Sequence, residues 1–155
     1  MRGTLLIAAL LAAGCGNQIG DSCGISSDCS PNGDRICDTK SPGGYCTIQG
    51  CDHDSCPGEA VCVRFFTVTT SNRTCTADSE CTVDEACTLS GYCAPLSSEV
   101  RYCMLACGGP SDCRDGYECR DQELMMEHGG QPVLDPEGGA EQPLQPFCAA
   151  APVSQ

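Results

Sequence analysis

Cysteine is the residue type in this chain whose number and spacing can carry chemistry: 17 occur in 155 residues. Sulfur at this density supports lipid attachment, disulfide bonding or thiolate metal binding, and the spacing separates the three. Cys15 stands apart, closing the run Leu11-Ala12-Ala13-Gly14-Cys15. The other sixteen are Cys23, Cys29, Cys37, Cys46, Cys51, Cys56, Cys62, Cys75, Cys81, Cys87, Cys93, Cys103, Cys107, Cys113, Cys119 and Cys148. An even number at near-regular intervals reads as a disulfide framework, with the pairing open. No Cys-x-Cys or Cys-x-x-Cys occurs, which argues against zinc ribbons, thioredoxin-type redox sites and c-type haem attachment. No metal and no cofactor is expected.

Other candidate chemistry is sparse. The two histidines, His53 and His128, have no motif partners, and there is no Gly-x-Ser-x-Gly run. Asp52-His53-Asp54 begins like a calcium loop. It departs from the EF-hand at Cys56 in the third acidic position, at Pro57 in place of glycine and at Val63 in place of the terminal glutamate. Solvated surface acids are the better reading. An enzyme would need a concave pocket holding His53 or His128 beside a carboxylate or hydroxyl.

The N-terminus supplies the address. Met1-Arg2 is a short positive region, Thr4–Leu11 is apolar, and Ala12-Ala13-Gly14 offers small residues before a cleavage point. The apolar run falls well short of the ~20 residues that span a bilayer. Ala13-Gly14-Cys15 resembles the lipobox of bacterial lipoprotein precursors, with Ala12 where leucine is commonest and Leu11 one step earlier. The resemblance implies a signal peptide over 1–14, acylation of Cys15 and a mature chain starting there. Several acyl chains hold a protein on a membrane where one holds it only marginally. By resemblance to lipoprotein sorting in enteric bacteria, Gly16 in place of aspartate implies the outer membrane. Cys15 also accounts for the odd cysteine count.

The chain carries 21 acidic and 8 basic residues, a net charge of −13. The acids crowd the second half, with 14 acidic and 3 basic residues over 76–155. Such a surface repels phosphate backbones, so nucleic acid is excluded as a partner. With no tryptophan and 3 phenylalanines, apolar burial alone cannot offset chain ordering at ~1.5 kcal/mol per residue. Cross-links must restrict the unfolded chain instead, at ~3 kcal/mol for a bridge closing a ~15-residue loop.

These bounds give the fold class: small, disulfide-rich, with short β-hairpins and little regular structure. The sixteen cysteines divide into two tandem modules of eight, over 23–75 and 76–155, preceded by a tether over 15–22. In this register Tyr45-Cys46 aligns with Tyr102-Cys103, and Asp54–Gly58 with the Ser111–Gly116 stretch. A competing register matches Ser26–Cys29 with Asp78-Ser79-Glu80-Cys81 and leaves seven and nine cysteines. The recurring element is cysteine, an acidic-polar quartet, cysteine, then a glycine-containing turn and cysteine. It resembles cysteine-rich repeat proteins on the surfaces of myxobacteria-like cells and is similar, loosely, to the N-terminal cysteine-rich region of Dickkopf proteins. That resemblance rests on cysteine spacing over 23–119.

Val61–Thr70 is the best strand candidate, with a turn at Ser71-Asn72 and a return over Arg73–Cys75. Tyr117–Arg120 pairs in the same way with Pro146–Cys148. Asp121–His128 forms one or two helical turns stopped by Gly129-Gly130. The whole insertion over 121–145, acidic and rich in glycine and proline, is expected as a dispensable surface loop. Tyr45, Tyr92, Tyr102 and Phe147 each precede a cysteine, and their rings should shield the bridges. The function class that follows is a non-enzymatic structural or interaction protein, held on the membrane through Cys15, with its protein partner open. A disulfide-framed binding protein, such as a protease inhibitor, is the alternative.

Overall fold

The computed structural model describes residues 17–68, 72–138 and 142–153. The expected signal peptide over 1–14 and the expected lipidation site Cys15 lie outside them.

All sixteen downstream cysteines are bridged to one another. Cys23 joins Cys37 and Cys29 joins Cys46. Cys51 joins Cys62 and Cys56 joins Cys103. Cys75 joins Cys87 and Cys81 joins Cys93. Cys107 joins Cys119 and Cys113 joins Cys148. The cysteines therefore group by fours, and within each quartet the first pairs with the third and the second with the fourth.

Each quartet is the same small structure. A tight turn lies between its first two cysteines: α1 (Ser26–Cys29) in the first quartet, 3₁₀ turns at Asp78–Glu80 and Pro110–Asp112 in the third and fourth. The last two cysteines face each other across an antiparallel strand pair. In the first quartet β1 (Ile36–Cys37) meets β2 (Cys46–Thr47), with Cys37 opposite Cys46. In the second, β3 (Ala60–Phe66) meets a strand returning far along the chain, Glu99–Leu105, with Cys62 opposite Cys103. In the third, β4 (Glu85–Cys87) meets β5 (Cys93–Pro95), with Cys87 opposite Cys93. That returning strand, Glu99–Leu105, is β6. In the fourth, β7 (Tyr117–Arg120) meets Phe147–Ala150, with Cys119 opposite Cys148. Facing residues on such a ribbon point the same way. The two bridges therefore leave side by side toward the preceding turn.

The quartets differ mainly in the length between the third and fourth cysteines: 8, 40, 5 and 28 residues. The 40-residue interval contains the whole third quartet, which is thus an insertion in the hairpin of the second. Two bridges, Cys56–Cys103 and Cys75–Cys87, cross from one expected set of eight to the other. The eight-and-eight boundary at residue 75 is not a boundary between closed units. The aligned pair Ser26–Cys29 and Asp78–Cys81 belongs to equivalent turns of the first and third quartets. The aromatic-cysteine pairs have one meaning: each marks the fourth cysteine of a quartet.

The partner of β3 also differs from the expectation. Local pairing favours a return over Arg73–Cys75, but β3 pairs along its full length with β6. Its other edge carries β8 (Gln131–Pro132). Thr74 forms a bridge with Tyr92 inside the third quartet. The expected turn at Ser71 falls outside the described residues.

Quartets one, two and four share a core of Ile19, Tyr45, Val63, Met104, Tyr117, Met125, Phe147 and several half-cystines. Tyr45 stacks on Tyr117 at 5.3 Å between centroids, and Phe65 meets Phe147 edge-on at 6.1 Å. The Tyr45 hydroxyl accepts from the Leu105 amide (2.9 Å) and donates to the Cys148 carbonyl (3.1 Å), tying three quartets at one atom. Burial raises the Tyr45 phenol to about 12. Tyr45 and Phe147 are buried in the core. Tyr92 is exposed.

Two expectations about connecting segments are overturned. The stretch over 15–22 is not a tether where it is described: Ile19 is 1% exposed, and the Gly20 amide donates to the Cys46 carbonyl. The insertion over 121–145 is not a free loop. Its helix forms as expected, α2 (Gln122–His128), capped by the Asp121 side chain on the Leu124 amide and ended at Gly129. The helix buries Met125 in the core, and β8 then joins the sheet. Gly130 has a positive φ of 83°, and a β-carbon there would meet Phe65 and Phe147 at 2.7 and 2.8 Å. Glycine lets this chain cross between two rings. β9 (Phe147–Ala150) then closes the fourth quartet.

Candidate functional site

The acidic residue before the second cysteine has a structural task in three quartets. The Asp28 carboxylate accepts from the Gly24 and Ile25 amides (2.8 and 3.1 Å). Glu80 accepts from the amide and hydroxyl of Thr76. Asp112 accepts from Gly108 and Gly109 (2.7 and 3.1 Å). In the second quartet Ser55 substitutes, accepting from the Asp52 amide at 2.7 Å. These bonds satisfy donors that a one-turn helix leaves open. The sequence element of cysteine, polar quartet and cysteine is thus a folding motif rather than a ligand site.

The acid caps make stability pH-dependent. The Gly24 and Ile25 amides hold Asp28 below its ordinary 3.8. The Thr76 amide and hydroxyl lower Glu80, and those of Thr82 lower Glu85, from 4.5. A folded-state pKa below the unfolded value adds stability above the unfolded value and loses it as pH falls through the folded one. The denaturation midpoint should be level from neutrality to about pH 4.5 and then fall. A midpoint level to well below the aspartate range would contradict these caps.

Concavities lie on two sides of the core. One, of about 370 Å³, is lined by His53, Asp54, Pro57, Val61, Pro132 and Gln145 among others. The second, of about 310 Å³, is lined by Tyr45, Thr47, Phe65, Tyr102, Met104 and Arg120 among others. The first meets the condition of a histidine beside a carboxylate: His53 Nδ1 lies 3.5 Å from Asp54 Oδ2. Asp54 is almost fully exposed, and the Ser55 hydroxyl is spent on Asp52. Asp52 itself pairs with Arg101 at 2.7 Å. The Asp52-His53-Asp54 stretch is therefore an ion-paired turn.

His128 belongs to a different network. Its Nδ1 is 2.7 Å from Glu118 Oε1, which also takes the Arg120 Nε proton at 2.9 Å. Arg120 is 7% exposed. Its remaining donors go to the carbonyls of His128, Gly129 and Ala150 at 2.9–3.0 Å. Arg120 thus holds the C-terminal end of α2 against the fourth quartet. Sequence reasoning did not single it out. The sequence offers little signal: of the three basic residues over 76–155, both Arg114 and Arg120 directly follow a cysteine.

The sulfurs are spoken for. The first three cysteines of each quartet bring their Sγ atoms within 4.8 Å of one another, as a metal cluster would. Every one of them is in a disulfide and offers no thiolate. Cys15, the expected lipidation site, lies outside the described residues. Among the described residues no helix is long and apolar enough to cross a membrane.

A third surface is the inserted quartet. Val83 is 91% exposed in the turn after Cys81. Glu85 fixes that turn, accepting from the Thr82 amide and hydroxyl at 3.1 and 2.9 Å. Tyr92 and Leu96 are exposed nearby in the chain.

Compared with protein-family profiles, curated proteins and solved structures, the chain matches none.

Proposed function

We propose that this chain is a lipid-anchored protein of the cell envelope, delivered to the outer membrane, and that it acts without catalysis as a structural or interaction module. The observation that carries the reading is the completeness of the bridging. Sixteen cysteines satisfy one another in eight disulfides, so no described thiol is open to Cys15. Cys15 closes a lipobox-like run and is the cysteine left over. Eight disulfides in one chain are consistent with export into an oxidising compartment. The use of acids as turn caps and of His128 as a structural partner supports a scaffold rather than a reaction centre.

The test is metabolic labelling with a fatty-acid analogue in a lipoprotein-processing host. The wild-type protein should incorporate label and sediment with membranes. Cys15→Ser should lose the label and become soluble. Membrane retention of unlabelled Cys15→Ser would contradict the anchor.

A second reading is favoured by the turn at Val83, an exposed apolar residue in a well-defined loop. It assigns the inserted quartet a binding role, as disulfide-framed inhibitors present a loop. Val83→Asp should then abolish partner binding without changing stability, because Val83 packs on little.

A further inference from the structure

We infer that the base of the β3–β6 ribbon lies against the lipid headgroups and that the inserted third quartet stands at the membrane-distal end. This rests on acylation of Cys15, as proposed above.

The packed chain begins almost at once: Arg35 donates to the Asn17 carbonyl, and Ile19 is buried. Two peptide units separate Cys15 from Asn17, which at 3.8 Å between successive Cα atoms allows at most about 8 Å. The folded body therefore sits directly on the surface that holds the acyl chains, with no spacer.

A β-carbon on Gly20 would come within 3.0 Å of Leu105, the last residue of β6. The Ile19 amide faces Glu59, the residue before β3. The N-terminal entry is therefore at the Ala60–Leu105 end of the ribbon. The third quartet is attached at the other end, after Phe66 and before Glu99. Its hairpin loop, Thr88–Ser90, lies beside Arg64, Phe66 and Met125, with Leu89 packed against the shared core. At about 3.4 Å per residue the seven-residue ribbon separates the two ends by about 20 Å.

Asp78, Glu80 and Asp84 are exposed on the inserted quartet, beside Val83 and Tyr92. Insertion of those apolar side chains into lipid would carry carboxylates with them, at a large desolvation cost. Anionic headgroups would repel them as well.

The test uses the acylated full-length protein in vesicles of phosphatidylethanolamine and phosphatidylglycerol that contain a nitroxide-headgroup lipid. A fluorescent unnatural amino acid replaces either Ser22, beside Asn17, or Val83. Flotation with the vesicles is scored first. The fluorophore at position 22 should be quenched severalfold more than the one at 83. A flexible Gly/Ser spacer inserted between Gly16 and Asn17 should remove most of that difference without affecting flotation. Protein that fails to float overturns the anchor and the orientation with it. Protein that floats with equal quenching, or with position 83 the more quenched, overturns the orientation alone.

Discussion

Replacing Arg120 with alanine is expected to destabilise the protein by about 3–5 kcal/mol, the range for breaking a buried ion pair on one side. Arg120 is 7% exposed and holds four acceptors: Glu118 and the carbonyls of His128, Gly129 and Ala150. Alanine leaves all four without that donor, and Glu118 keeps only His128. The loss should be concentrated in α2, β8 and the fourth quartet, because Arg120 ties the end of α2 to β7 and β9. Arg120→Lys preserves charge but cannot fork to several carbonyls, so it should recover only part of the loss. Thermal unfolding without reductant reads the effect, and a drop of more than about 10 °C is expected. A change below about 1 kcal/mol would mean that this network contributes no more than a surface pair.

Removing the Cys56–Cys103 bridge, as Cys56→Ala with Cys103→Ala, should cost up to about 4 kcal/mol. The chain-entropy model gives that figure for the 47-residue separation. The bridges nested inside the loop shorten it and lower the figure somewhat. This bridge clamps the base of the β3–β6 ribbon, with Cys103 itself fully buried. Its loss should loosen the shared core and the inserted quartet together. Removing Cys81–Cys93, with a separation of 12, should disorder the inserted quartet and leave the body folded. Amide hydrogen exchange distinguishes the two variants. Equal loss of protection over β7 and β9 in both would show that the inserted quartet is part of the body, against the nested architecture.

Much of the class was legible in the sequence, and the repeat unit was not. Cysteine parity and scarce apolar content led to a disulfide frame with short hairpins, and the structure has both. The pairing of Tyr117–Arg120 with the strand at Cys148 was reached by matching its place to a hairpin over Val61–Cys75; it forms, although that hairpin does not. The helix α2 was legible from Asp121 as cap and Gly129-Gly130 as stop. The period of four escaped because the stretch between third and fourth cysteines runs from 5 to 40 residues. Loop-closure cost rises by only about 0.6 kcal/mol per doubling, so physics tolerates such uneven loops and counting cannot see through them. Those loop lengths also hid the true partner of β3, which lies beyond an entire inserted unit.

Composition misled at the two connecting segments. Gly129, Gly130 and Pro132 read as breakers, yet they thread the chain between Phe65 and Phe147 and onto the sheet edge. Ile19 is a single apolar residue among polar neighbours and leaves no periodic signal, though it is 1% exposed. At the site level the sequence named the bridged cysteines correctly. It could not name Arg120, whose role depends on three carbonyls in two separate segments, His128-Gly129 and Ala150.

The central claim is that four cysteine quartets repeat one pairing and that the third is nested in the second. Proteolytic peptide mapping of the native, unreduced protein tests it most directly, with free thiols blocked before digestion. The account predicts cross-linked peptides joining Cys56 to Cys103 and Cys75 to Cys87, and Cys113 to Cys148 across the long insertion. A map in which no bridge joins a cysteine of 23–75 to one of 76–155 would contradict it.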